Sequence, residues 1–179
     1  FTIDLLSGTV DPDTNDTLSV TNVTVLGDAV GITVNDDHTL SVDPSAYTSL
    51  AAGATEVIAY SYNVVNLMGE TVSQTATITI TGTNNGPVVS GGVDLGQILE
   101  DGSRLITEVE LLHHATDAEG DALQVENVAL MDSSQGTLQQ TDDGWQFMPV
   151  ADFNGSVNLG YDVTDGTTSV STSASVIIT

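Results

Sequence analysis

Apolar side chains fall on alternate positions through most of this chain. Leu18, Val20, Val23 and Val25 are followed by Ile32 and Val34, by Leu40 and Val42, and by two longer runs at 57–65 and 71–81 rich in Val, Ile and Thr. A period of two carried by β-branched residues predicts strands that bury one face. Gly27-Asp28, Asn35-Asp36-Asp37 and Leu67-Met68-Gly69 separate them with residues that tolerate positive φ or bond their own backbone. Residues 44–50 read as a helical turn, with Pro at the start and Ala and Leu inside. Several short strands with regular turns predict an antiparallel sandwich.

Asn84-Asn85-Gly86-Pro87 then reads as a linker, because Pro cannot continue a ladder and Gly frees the backbone. A second round follows: strand-like runs at 88–98, 105–112, 123–131, 136–140, 145–148, 157–163 and 170–178, with a turn at Glu100-Asp101-Gly102. The rounds match in detail. Ile3-Asp4-Leu5-Leu6 corresponds to Val109-Glu110-Leu111-Leu112, the run at 17–23 to that at 122–128, and Tyr62-Asn63-Val64 to Tyr161-Asp162-Val163. Such a repeat predicts tandem homologous domains, at 1–84 and 85–179. Nothing in the first round matches 86–103, so the first sandwich is expected to lack its opening strand and any counterpart of Glu100.

Charge changes the picture more than size does. Across 179 residues, 25 Asp and Glu face a single Lys or Arg, for a net charge of -24. A nucleic acid would be repelled. Hydrophobic residues make up 40% of the chain and recur with a clear period, which argues for order rather than acidic disorder. There is no cysteine, so no disulfide can brace the fold and calcium is the available staple for an exported domain. No run is long and apolar enough to span a membrane, and no signal peptide is evident. The chain opens on Phe1 rather than Met, as an excised piece would, and a monomer is expected.

The densest chemistry is Ala115-Thr116-Asp117-Ala118-Glu119-Gly120-Asp121, three carboxylates at alternate positions around one glycine. Calcium takes six to eight oxygens at about 2.3–2.6 Å, from carboxylates, Asn and backbone carbonyls. Two carboxylates about 5 Å apart repel by roughly 3 kcal/mol at an effective dielectric near 20, and a divalent cation relieves that. The loop is not an EF-hand, because the twelve-residue pattern and its flanking helices are absent. Further ligands must come from other loops: Glu100, Asp101, Asp165 and the Asn84-Asn85 linker are the candidates. Asp11, Asp13 and Asp16 repeat the motif in the first round. Asp36-Asp37 and Asp142-Asp143-Gly144 read instead as turn formers.

Other residues receive plainer roles. Adjacent His113 and His114 point to different sides, with no third nitrogen or sulfur ligand nearby, so they read as structural. Trp145 alternates with Phe147 and reads as core rather than as a platform for a sugar. Arg104 is expected to pair with Glu100 or Asp101. No nucleophile elbow, phosphate loop or zinc-protease helix appears, and an enzyme is not expected.

Two longer stretches carry a family resemblance. Residues 53–64 together with 71–85, ending Thr81-Gly82-Thr83-Asn84-Asn85, resemble the end of a VCBS-type, cadherin-like repeat of giant bacterial repeats-in-toxin (RTX) adhesins. The second round resembles the cadherin-like tandem repeat of the same proteins through Glu100-Asp101-Gly102, the acidic loop at 115–121, Asp152-Phe153-Asn154-Gly155 and the run at 161–166. The resemblance implies an all-β chain of two tandem cadherin-like, Ig-like Greek-key β-sandwich domains. It further implies the extender, or spacer, region of a large adhesin exported by type I secretion and held outside the cell at the bacterial surface, serving cell adhesion and biofilm. Calcium would stiffen the array, with Glu100, Asp117, Glu119, Asp121 and Asp165 as ligands beside the Asn84-Asn85 linker. The partners would be neighbouring domains of the same adhesin; the alternative is a calcium-dependent module that itself binds a carbohydrate or peptide. Two departures from the pattern remove charge: Asn85 stands where the linker acid is usual, and Asn66, followed by Leu67-Met68, where a late-turn acid is usual. Both imply weaker calcium binding or a junction that bends more.

Overall fold

The alternation in the sequence becomes alternation in burial. In a computed structural model of the chain, which describes residues 1–13 and 16–179, Ile58, Tyr60, Tyr62 and Val64 face inward from one strand. Val157, Leu159, Tyr161 and Val163 do so from its counterpart in the second round. The chain divides into two units, Phe1–Thr83 and Asn84–Thr179, so that Asn84, placed by the sequence at the end of the first domain, lies in the second unit.

The first unit contains β1 (Thr2–Asp4), β2 (Ser19–Leu26), β3 (Ile32–Val34), β4 (Thr39–Val42), β5 (Thr55–Val65) and β6 (Thr71–Thr81). They form two sheets, ordered β1-β4-β3 and β2-β5-β6, over a core that includes Leu5, Leu40, Ile58, Tyr60 and Ile78. The helical turn expected at 44–50 is a shorter 3-10 turn, Pro44–Tyr47. Its cap is Asp43, whose carboxylate accepts the Ser45 N–H at 3.0 Å.

The second unit contains β7 (Val88–Val89), β8 (Val93–Ile98), β9 (Arg104–Ile106), a short helix α1 (Glu108–Leu111), β10 (Ala115–Thr116), β11 (Gln124–Leu130), β12 (Gly136–Thr141), β13 (Gly144–Pro149), β14 (Gly155–Thr164) and β15 (Ser169–Ile178). Its sheets are ordered β12-β13-β9 and β11-β14-β15-β8, with β7 and β10 paired separately. β8 runs parallel to β15, whereas among the described residues the matching sheet of the first unit ends at β6. Among the described residues the first unit shows no counterpart of β8. Each unit stacks its own sheets over its own hydrophobic core.

Details of the repeat survive at atomic level. The Tyr62 hydroxyl donates to the Leu5 carbonyl at 3.0 Å, and the Tyr161 hydroxyl to the Leu111 carbonyl at 2.8 Å. The Thr9 N–H donates to the Leu6 carbonyl at 3.0 Å, and the Ala115 N–H to the Leu112 carbonyl at 2.9 Å. β2 and β11 each slip register at an asparagine with positive φ, Asn22 and Asn127. Asn tolerates that conformation better than most residues, so each is a bulge at an equivalent place.

Three expectations are corrected. The run at 105–112 is not one strand: β9 ends at Ile106 and α1 begins, because Thr107 and Glu110 form a capping box in which each side chain bonds the other residue's backbone N–H. The run at 88–98 is likewise two strands, since the break at Ser90-Gly91-Gly92 lets the chain leave β10 and join β15. Arg104 pairs with Glu110 at 2.7 Å, not with Glu100 or Asp101. Burial pushes the Glu110 carboxyl up, but the Thr107 N–H and hydroxyl and the Arg104 guanidinium outweigh it and hold the group below its ordinary range.

Burial also raises the phenols of Tyr47, Tyr60, Tyr62 and Tyr161 above their ordinary value. A group whose folded pKa lies above its unfolded one stabilises the fold below the unfolded pKa and loses that contribution as pH rises past it. Stability is therefore expected to fall as pH rises above about 10. With one Lys or Arg and no Cys, few other groups titrate there. Urea midpoints that stay level between about pH 8 and pH 11 would contradict this.

Candidate metal centre

β10 pairs with β7 only across Ala115–Val89 and Thr116–Val88, and then delivers Asp117 to the end of the ladder. One carboxylate oxygen of Asp117, Oδ1, accepts the Glu119 N–H at 2.9 Å and the Asp121 N–H at 3.1 Å. These bonds curl the loop back on Asp117. Gly120 sits at φ +80 in that curl, a conformation that strains a residue with a Cβ.

The curl draws like charges together. Asp117, Glu119 and Asp121 each present a carboxylate oxygen within 4.8 Å of the others. Among the described residues no other group of acids or histidines is this tight. Asp117 and Glu119 are half-buried and Asp121 is exposed. The second oxygen of Asp117, Oδ2, is buried and has no hydrogen-bond partner. A buried carboxylate oxygen beside two further carboxylates needs a positive partner. All the donors are hard oxygens, the set that suits calcium.

The linker closes over this loop. The Asn85 N–H donates to Glu119 Oε2 at 3.2 Å, and the Asn85 side-chain amide donates to Glu119 Oε1. The Asn84 amide donates to Asp165 Oδ2 at 2.8 Å. Asn84, Asn85, the acidic loop and Asp165 thus belong to one connected set of contacts inside the second unit.

Asp165 differs from the loop acids because its oxygens are already engaged. Oδ1 accepts the N–H groups of Thr167 at 2.7 Å and Thr168 at 2.6 Å, and Oδ2 also accepts the Thr168 hydroxyl at 3.0 Å. The Thr168 N–H, then the Asn84 amide, hold its carboxyl far below the usual carboxylate range. It fastens the β14–β15 turn and anchors the linker.

Glu100 and Asp101 lie elsewhere. The Glu100 N–H donates to the Thr179 carbonyl at 2.9 Å, beyond one end of β15, whereas Asp165 precedes the other end. Ten strand residues separate those ends, roughly 30 Å at about 3.3 Å per residue. The structure does not bring Glu100 or Asp101 to the acidic loop.

In the first unit, Asp11 repeats half of the curl by accepting the Asp13 N–H at 2.8 Å. Its other oxygen meets the Asn66 amide at 3.4 Å, so the atom left bare in Asp117 has a partner here. Asp16 accepts the backbone N–H groups of Thr17 at 2.7 Å and Leu67 at 3.0 Å. Thr14 and Asn15, between these acids, lie outside the described residues. Asp11, Asp13 and Asp16 are not drawn into one group.

Trp145 is 9% exposed and packs in the second core with Phe147, and His113 and His114 stack edge to face on each other. The sequence reading passed over Glu108, whose carboxylate accepts the Val125 N–H at 2.8 Å and holds the start of β11 beside α1. An acid in the first turn after a capping threonine was the available signal.

Paired, mostly antiparallel sheets, a tyrosine hydroxyl bonded to a distant carbonyl in each unit, and an oxygen-rich loop at one end define a β-sandwich module with a candidate hard-cation site. The chain belongs to the cadherin-like domain family, whose family model matches residues 83–179. Domains of this family are in general extracellular, adhesion-related modules and typically bind calcium. No curated protein sequence matches the chain. Similar solved structures include an endo-fucoidan hydrolase of glycoside hydrolase family 107 (20% identity over 92% of this chain and 26% of that one, TM-score 0.39). Others are the protocadherin GammaB4 extracellular domain (16% identity, 89% and 27%, TM-score 0.40) and Drosophila N-cadherin EC1-4 (13% identity, 95% and 43%, TM-score 0.35). The chain spans less than half the length of each. Among the described residues no helix is long and apolar enough to cross a membrane.

Proposed function

We propose that the chain is a calcium-stabilised spacer region of a large secreted bacterial cell-surface adhesin of the RTX type, without a catalytic role. The observation that carries the calcium part is Asp117 Oδ2, buried without a partner among the carboxylates of Glu119 and Asp121. The adhesin part rests on the VCBS-type and cadherin-like motifs and on the family. In this reading Asp117, Glu119 and Asp121 hold the ion, Asn84 and Asn85 close the linker over it, and Asp165 positions Asn84. Neighbouring domains of the parent protein are the partners.

The test is thermal unfolding of the intact chain in chelator and in calcium. With an affinity of about 0.1–1 mM, about 5 mM calcium is expected to add ~1–2 kcal/mol to the second unit. For a unit of this size that raises the midpoint by roughly 5–15 °C. Equal midpoints in chelator and calcium would remove the calcium part. Specific binding of glycans or peptides by the intact chain would instead make it a recognition module, although the burial of Trp145 speaks against sugar stacking there.

A further inference from the structure

The linker that closes over the acidic loop carries a reactive step. Asn-Gly occurs at 85–86 and at 154–155, and in such a step the backbone nitrogen after the asparagine can attack the side-chain amide with no Cβ in its way. The two steps are held differently. Gly155 opens β14 and stands in the ladder opposite Ile178, whereas Gly86 lies between the end of β6 at Thr81 and the start of β7 at Val88, outside any helix or strand. Among the described residues no hydrogen bond holds the Gly86 N–H.

Glycine is required at 86 by packing. A Cβ there would come within 2.5 Å of Thr168 Oγ1, so the close approach of the linker to the β14–β15 turn demands glycine after Asn85. The reactive pair is thus built into the way the linker closes. Asn85 itself is exposed, and Glu119 holds it on the loop by accepting its backbone N–H at Oε2 and its side-chain amide at Oε1. Glu119 in turn presents a carboxylate oxygen within 4.8 Å of those of Asp117 and Asp121. A change of charge at Asn85 therefore falls beside three acids.

We propose that Asn85-Gly86 is a self-modification site, which converts the linker amide into a carboxylate and makes closure of the linker depend on a divalent cation. The cation half rests on the calcium reading proposed above. In the first step the Gly86 nitrogen bonds to Asn85 Cγ, and the Cγ–Nδ2 bond breaks as ammonia leaves with the Gly86 proton. Water then opens the cyclic imide. Attack at Cγ gives aspartate on an unchanged main chain, and attack at the main-chain carbonyl gives isoaspartate, in which the chain runs through the side chain and is one methylene longer. The aspartate product puts a carboxylate where an N–H₂ donor faced Glu119. Without a cation the two carboxylates repel, and with one the new group adds a hard oxygen to those of the loop.

The intact chain is to be held at mildly alkaline pH without calcium, and conversion at each asparagine followed by peptide mass spectrometry with enzymatic detection of isoaspartate. Asn85 is expected to lose its amide at least about tenfold faster than Asn154, whose glycine must first leave a ladder. Retention of the Asn85 amide, or conversion no faster than at Asn154, would overturn the proposal whatever calcium does. Asn85→Asp, made directly, stands for the aspartate product. By calorimetric titration it is expected to bind calcium at least about tenfold more tightly than the parent, because affinity follows the number of charged ligands. In chelator its urea midpoint is expected to fall below the parent's. Equal calcium affinities would overturn the cation half. Calcium binding by neither protein would overturn that half together with the calcium reading, and the mass measurement would still decide the modification.

Discussion

Phe147→Ala is expected to destabilise the second unit by about 3–5 kcal/mol, the range for deleting a buried aromatic side chain. Phe147 is fully buried and stands on β13 between Leu138 of β12 and Arg104 of β9. Truncation would leave a cavity in the core that Phe147 shares with Ile106, Leu159 and Val176, all with no exposed surface and held by two sheets that cannot close up independently. For a unit of this size the loss corresponds to a midpoint lower by well over ~10 °C. Met148, the next residue, is 51% exposed, and Met148→Ala is expected to cost no more than about 0.5 kcal/mol. Comparable losses for the two would mean that β13 does not alternate as described. Urea midpoints of the paired variants measure the difference.

What could be read from the sequence was what depends on period and on repetition. Alternation in 57–65 and 157–163 identified the inward residues because a strand has only two faces. The matched segments aligned the equivalent tyrosines, and Asn22 with Asn127, because both rounds use the same side chains at the same places; that each asparagine is a bulge came from the structure. Contacts between distant segments were less legible. Arg104 finds Glu110 only because a capping box turns the chain after Ile106, and that box was overlooked in a region read as strand. Glu100 and Asp165 both flank β15, but nothing in residue spacing says that they flank opposite ends. The acidic loop itself was legible, since its ligand atoms are local. The bare oxygen of Asp117 was not, because it depends on which loop acids find donors: Asp11 meets the Asn66 amide, and the Asn84 amide is taken by Asp165.

That bare oxygen sets up an effect whose sign depends on calcium. Asp117→Asn keeps a side-chain oxygen to accept the Glu119 and Asp121 N–H groups, so the curl of the loop survives. It removes one negative charge from a group spanning 4.8 Å, and its new N–H₂ can donate to the remaining carboxylates. In chelator the variant is therefore expected to be more stable than the parent, by about 1 kcal/mol after allowance for solvent screening of the exposed acids. In about 5 mM calcium the order reverses, because the parent gains ~1–2 kcal/mol and the variant, short of its central carboxylate, gains little. Urea midpoints for both proteins in both solutions would show the two lines crossing. Parallel lines would mean that Asp117 is not a ligand, and a variant weaker than the parent in chelator would mean that its charge fastens the loop rather than waiting for an ion.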